Sequence, residues 1–190
     1  LARDWTGVPT CDLPLWWDYP DDLHHHHDRI RIAYRDGVPM GGDIPPGKTR
    51  TAPRFFVAAS TDALGANLDR IQIIKGWVDA EGNQRDKIFD VVWSGSRQPG
   101  ADGRLPGVGN TVDVNTATYL NSIGDAQLAT VWQDPEFDPS VTALYYARVI
   151  EIPTPRWTTY DAVRADLPLP EDVSPTVRER AWSSPIWYTP

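Results

Sequence analysis

Residues 87–93 and 142–152 constrain this chain more than any other feature, because both read as β-strand and as nothing else. In 87–93, Phe89, Val91 and Trp93 share one parity and Ile88 and Val92 the other. A period of two suits a pleated strand and not a helix. Residues 142–152 carry β-branched or aromatic side chains at both parities, the mark of a central strand covered on both faces. Further runs at 54–60, 70–77, 111–122, 126–133 and 181–188 have strand composition. The 18 Pro and 14 Gly in 190 residues punctuate them, with Glu81-Gly82 marking a hairpin turn inside 79–83. Pro185 within the last run implies an edge or a bulge. About seven short strands divided by turn signals predict a mainly β fold, an antiparallel β-sandwich (immunoglobulin-like) with long loops.

The two ends of that pattern differ from its middle. Residues 1–50 hold Pro9, Pro14, Pro20, Pro39, Pro45 and Pro46 and one short periodic run, 28–34, readable as a helical turn or a short strand. The expected organisation is an irregular, poorly structured N-terminal extension over 1–50, contributing little core, and a sandwich domain over 51–190. Residues 153–179 form a long excursion in which Thr158 with Asp161 resembles a capping box, and Ser174-Pro175 an N-cap followed by Pro.

Composition narrows the partners. There are 26 acidic and 18 basic residues, a net charge of −8, and no basic stripe. Nucleic acid and an anionic membrane surface are therefore not expected as partners. No apolar run nears the roughly 18 residues of a membrane-spanning helix. Cys11 is the single cysteine, so no internal disulfide is expected, and no leader segment is visible. None of this indicates a compartment.

Several segments together carry a family resemblance. They are Gly37-Val38-Pro39-Met40-Gly41-Gly42-Asp43, residues 67–77, 108–113 and 132–139, the dense stretch 145–160, and 179–188. On these residues the chain resembles the bacterial family of domain of unknown function 3604 (DUF3604) from Trp17 to Pro190, as its C-terminal portion. Such proteins look similar to the polymerase-and-histidinol-phosphatase superfamily of metal-dependent phosphoesterases, whose His, Asp and Glu ligands sit on a barrel. The resemblance implies a barrel mostly upstream of this chain. It also implies a metal-dependent hydrolase as parent, with a missing N-terminal catalytic portion as partner. Residues 1–16 lie outside the resemblance; a misassigned start is one explanation.

No residue is assigned a catalytic role. There is no Gly-x-Ser-x-Gly frame, no His beyond His27, and no phosphate-cradling Gly-rich loop before a helix. His24 and His26 are the weak metal candidates, in a run Asp22-Leu23-His24-His25-His26 that mimics the superfamily's Asp-Leu-His-x-His pattern. Consecutive side chains diverge on any regular backbone, so a solvated polar run is the expectation, with no metal and no cofactor in this chain. Asp134, Glu136 and Asp138 alternate as calcium ligands would, but the surrounding spacing is not that of an EF-hand. Of the nine Trp, Trp77, Trp93, Trp132, Trp182 and Trp187 fall on expected strands, where core filling is expected. Asp43, Arg156, Trp157 and Tyr160 remain as possible interface residues. Docking requires Trp157 or Tyr160 to be substantially exposed beside other apolar surface, and fails if both rings are fully buried. The function expected is that of a non-catalytic accessory domain of a metal-dependent hydrolase. The alternative is an independent module binding carbohydrate or a surface polymer.

Overall fold

Alternation places the strands where it predicts them, in a computed structural model that describes residues 10–16, 19–44 and 52–190. In chain order the elements are β1 (Thr10–Asp12), β2 (Leu15–Trp16), a single 3-10 turn (Leu23–His25), α1 (Arg29–Asp36), β3 (Asp43–Ile44) and β4 (Arg54–Ser60). Next come β5 (Leu68–Val78), β6 (Gln84–Trp93), β7 (Gln127–Gln133), β8 (Ala143–Glu151), β9 (Thr154–Pro155) and α2 (Trp157–Ala165). β10 (Thr176–Val177), β11 (Arg180–Trp182) and β12 (Ile186–Tyr188) complete the order.

They form two main sheets. In the smaller, β7 lies along one edge of β4, while β1 and β2 lie in succession along the other. The break between β1 and β2 is Leu13-Pro14, where Pro14 still accepts a bond from the Phe56 N–H at 3.0 Å. In the larger the order is β3-β12-β8-β5-β6, with β11 also on β8. Every pairing is antiparallel except β3 with β12. The fold is thus mainly β, a sandwich of two sheets over a shared core, and β8 is central to the larger sheet as its composition predicts.

Phe55, Val57 and Leu128 of one sheet meet Ile71, Ile73, Tyr145, Ala147 and Val149 of the other. Phe55 packs its ring 4.7 Å from Tyr145, and Phe89 lies 5.0 Å from Trp132, so aromatic contacts cross the core. Fully burying one such side chain contributes about 1.5–3 kcal/mol. The expectation that residues 1–50 add little core is corrected for the described residues. Leu13, Leu15 and Ile44 belong to the main core. Tyr19, Leu23 and Ala33 cover Phe56 on the outer face of the smaller sheet. The run 28–34 is helical, and Ala33 is its fully buried position. Pro45, Pro46 and Gly47 lie outside the described residues.

Other expectations need correction. Residues 111–122 form no strand, only an isolated bridge from Asp113 to Thr118 inside the β6–β7 connection. Side chains there satisfy the backbone locally: Asp113 accepts from the Asn115 N–H at 2.9 Å, and Thr111 Oγ1 donates to the Leu120 carbonyl at 2.7 Å. Asx turns of this kind compete with a ladder and overrode the strand propensity of Val, Thr and Tyr. Gly124 ends that loop at φ +77°, where an added Cβ would lie 2.7 Å from both Asn67 and Ile152 side chains, so only glycine fits.

The run 181–188 is two strands, β11 and β12, split by Ser183-Ser184-Pro185. The bulge that Pro185 implied is bridged by Ser183, whose Oγ accepts from the Ala147 N–H at 2.9 Å. Within the excursion, α2 starts at Trp157 after Arg156, and Thr158 with Asp161 makes no capping box. Ser174-Pro175 leads into β10 rather than a helix.

Candidate functional site

The smaller sheet is covered on its outer face, whereas the larger sheet opens to solvent around Trp182 and Trp187, with Arg70, Gln72 and Ile74 of β5 buried on that same face. Register decides what that face shows. Asp43 of β3 pairs with Trp187 of β12, Trp187 with Leu144 of β8, and Leu144 with Gly76 of β5. Residues in register share a face, so these four form one row across the sheet. Gly76 leaves a gap in the row, closely approached by Leu144: an added Cβ would lie 3.3 Å from its Cγ. The result is a groove of about 350 Å³ lined by Trp187, Leu144, Gly76, Trp77, Gln84 and Arg85, among others. Trp187 is 43% exposed, and Trp182, on the same face nearer the other end of β8, is 57% exposed. Trp182 and Trp187 therefore do not fill the core. A strand's alternation shows that two faces exist, not which is roofed by another layer.

The excursion lies beyond the opposite end of β8. Arg156 anchors α2: its N–H donates to the Pro175 carbonyl at 2.9 Å, and its Nε to the Ser174 carbonyl at 2.8 Å. Thr159, fully buried, donates from Oγ1 to the same Pro175 carbonyl at 2.7 Å. On this fixed helix Trp157 is 69% exposed, while Tyr160 is half-buried. The Arg164 guanidinium lies 5.8 Å from the centre of the Tyr160 ring. The interface residues picked from sequence thus divide in two. Asp43 is exposed beside Trp187, at the start of β8. Arg156, Trp157 and Tyr160 follow its end, about 26 Å away along the strand at 3.3 Å per residue.

At the end of β8, before the excursion, stands a group that the sequence reading passed over. Glu151, the last residue of β8, is buried, and its Oε1 has no hydrogen-bond partner. Burial first, then the nearby Glu179 and Asp62 carboxyls, raise it to about 7. Tyr119 is likewise raised, by burial, with Tyr160 and Glu151 adding to the effect. A charged residue between Ile150 and Ile152, in a run otherwise buried, was the available signal.

Asp134, Glu136, Asp138 and Asp69 are committed within the fold. Buried Lys75 donates from Nζ to Asp134 Oδ2 at 2.6 Å and to the Glu136 carbonyl at 2.6 Å. The Tyr145 hydroxyl donates to the same Asp134 oxygen at 2.8 Å, and burial keeps that phenol protonated far above its usual range. Glu136 pairs with Lys87, and Asp138 accepts from the Ser140 N–H at 2.8 Å. The alternating carboxylates therefore do not converge on a calcium ion. Asp69, fully buried, meets three guanidinium groups. Arg97 Nη2 lies 2.7 Å from Oδ1 as an ion pair, while Arg70 Nε and Arg178 Nη1 reach Oδ2 at 3.2 and 3.3 Å.

His24 and His26 do not come together as ligands. His26 is exposed and accepts the Asp28 N–H on Nδ1 at 3.1 Å, whereas half-buried His24 lies ring to ring with His25 at 4.1 Å. Among the described residues no group of three or more His, Cys, Asp or Glu side chains could hold a metal ion.

These features define a class: a two-sheet β domain with one aromatic outer face and a projecting, anchored helix. Within that class the chain belongs to the family described as protein of unknown function (DUF3604), whose model matches residues 15–190. No curated protein and no solved structure matches the chain.

Proposed function

We propose that this chain is the non-catalytic, C-terminal accessory portion of a metal-dependent hydrolase, and that α2 receives the catalytic portion. The observation that carries this reading is Trp157, 69% exposed on a helix fixed at its start. An aromatic ring held rigidly in water loses little entropy on docking and gains a large contact area. Arg156 beside it is of a residue type equally enriched at interface centres. The test is a titration of this chain against the catalytic portion of the same polypeptide. Saturable association is expected, and Trp157→Ala is expected to weaken it about tenfold to a hundredfold. Absence of association, or an affinity indifferent to Trp157→Ala, overturns the reading.

The groove beside Trp187 favours a second reading, a module that binds carbohydrate or a surface polymer. An indole face suits the C–H face of a sugar ring, and Asp43, Gln84 and Arg85 supply polar groups for its hydroxyls. Under this reading the isolated chain binds soluble glycans, and Trp187→Ala removes about tenfold or more of that affinity. A glycan panel with no binder at millimolar concentration rejects it.

A further inference from the structure

On the covered face of the smaller sheet, the 3-10 turn and the start of α1 meet the edges of β4 and β7 around a pocket of about 240 Å³. His24, His25, Arg29, Ser60 and Gln127 supply its polar lining, and no carboxylate lines it. Arg29 is half-buried, and its Nε is buried without a hydrogen-bond partner; so is His24 Nδ1. A buried guanidinium nitrogen without a partner is costly, and the usual remedy is a carboxylate of the same chain. Of the aspartates beside the turn and α1, Asp22 does not line the pocket, and Asp21 and Asp28 are engaged elsewhere. Asp28 binds Arg31 at 2.5 Å and lies 3.4 Å from His27, and Asp21 pairs with Arg54 at 2.8 Å. Among the described residues no carboxylate lines the pocket to balance this cation, which is unusual in a chain of net charge −8.

We propose that this pocket binds the oxyanion of a small molecule, a phosphate or carboxylate group, with Arg29 as its principal clamp. The guanidinium fork offers paired N–H donors to two oxygens of one anion. The Ser60 hydroxyl, the Gln127 amide and the imidazoles of His24 and His25 add further donors around it. The same lining disfavours a metal ion: a guanidinium beside the imidazoles repels a cation, and two neighbouring imidazoles fall short of the four ligands a closed zinc site takes. The site is separate from α2 and from the Trp187 groove, so it stands whether or not either reading of function holds.

Calorimetric titration of the full chain with inorganic phosphate, and in parallel with acetate, tests it. Saturable binding of at least one is expected, and which one binds separates the two sources of oxyanion. Arg29→Ala is expected to weaken binding about tenfold or more, whereas Arg104→Ala, exposed and outside the pocket, leaves it unchanged. Should Arg29→Ala fail to fold, Gln127→Glu serves instead, since a carboxylate placed in the pocket supplies the missing counter-charge and must abolish binding. Three results overturn the proposal: no binding of either anion at tens of millimolar, binding indifferent to both pocket substitutions, or stoichiometric Zn²⁺ uptake lost with His24→Ala in place of anion binding.

Discussion

Replacing Asp69 with Ala is expected to destabilise the fold by about 3–5 kcal/mol, the range for removing one partner of a buried ion pair. Asp69 is fully buried on β5 and is shared by Arg70, Arg97 and Arg178. These come from the strand itself, from the loop after β6 and from the segment before β11, so one carboxylate ties three parts of the chain. Arg70 keeps a second carboxylate in Asp90 at 3.1 Å, and Arg97 retains the Ser94 and Pro106 carbonyls. Arg178 has no second carboxylate partner among the described residues. The double change Asp69→Ala with Arg178→Ala should therefore recover part of the loss, because it removes a guanidinium left without its partner. Urea unfolding measures both. A cost for Asp69→Ala within about 0.5 kcal/mol, as for an exposed substitution, would show that the cluster contributes nothing net.

Glu151→Gln is expected to do the opposite above neutral pH and stabilise the chain. The folded state holds this carboxyl at about 7, against an ordinary value of 4.5. Between those values the native protein retains a proton that the unfolded chain has released. Stability associated with Glu151 is therefore fully present below about pH 4.5 and is lost as pH rises through about 7. At pH 8 the buried, ionised carboxyl costs on the order of 1–3 kcal/mol, less than the bare shift implies because water screens part of it. Glutamine is neutral at every pH, so the variant should match the parent near pH 4.5 and exceed it at pH 8. Glu179→Gln, which removes a neighbouring charge that raises Glu151, should make the parent's loss smaller and complete it at lower pH. Denaturant midpoints of parent and variant that run parallel from pH 4.5 to 8 would contradict this account.

The strands were legible because period two is a local signal. Residues 54–60 coincide with β4, and 87–93 and 142–152 lie within a residue or so of β6 and β8 at most of their ends. The faces were less legible, because coverage is a property of the other layer. Trp182 and Trp187 share the alternation of buried strands, yet nothing in β11 or β12 announces that their face of the sheet is open to solvent around them. Residues 111–122 failed for another reason: their β-branched content spoke for a strand, while Asp113 and Asn115 spoke for turns and prevailed. The N-terminal core residues were hidden by proline. Leu13 and Leu15 flank Pro14, and it is the edge position of β1 and β2 that makes this tolerable. Of the candidate sites, Asp43, Trp157 and Tyr160 were visible as exposed or aromatic residue types. Arg29 and Glu151 were not, because what sets them apart is the partner each lacks.

The parallel pairing of β3 with β12 bears on the order in which the chain can assemble during synthesis. Asp43 and Ile44 leave the ribosome early, but their ladder partners Trp187 and Tyr188 follow only after the intervening sandwich strands. The β5–β6 hairpin can form as soon as its turn is made, whereas that sheet's far edge waits for almost the whole length of chain. Such a high contact order places folding in the slow range, milliseconds to seconds rather than microseconds. Until β12 arrives, the edge of β8 from Ala143 to Tyr145 is an open template, and the nascent chain is most exposed to mispairing there.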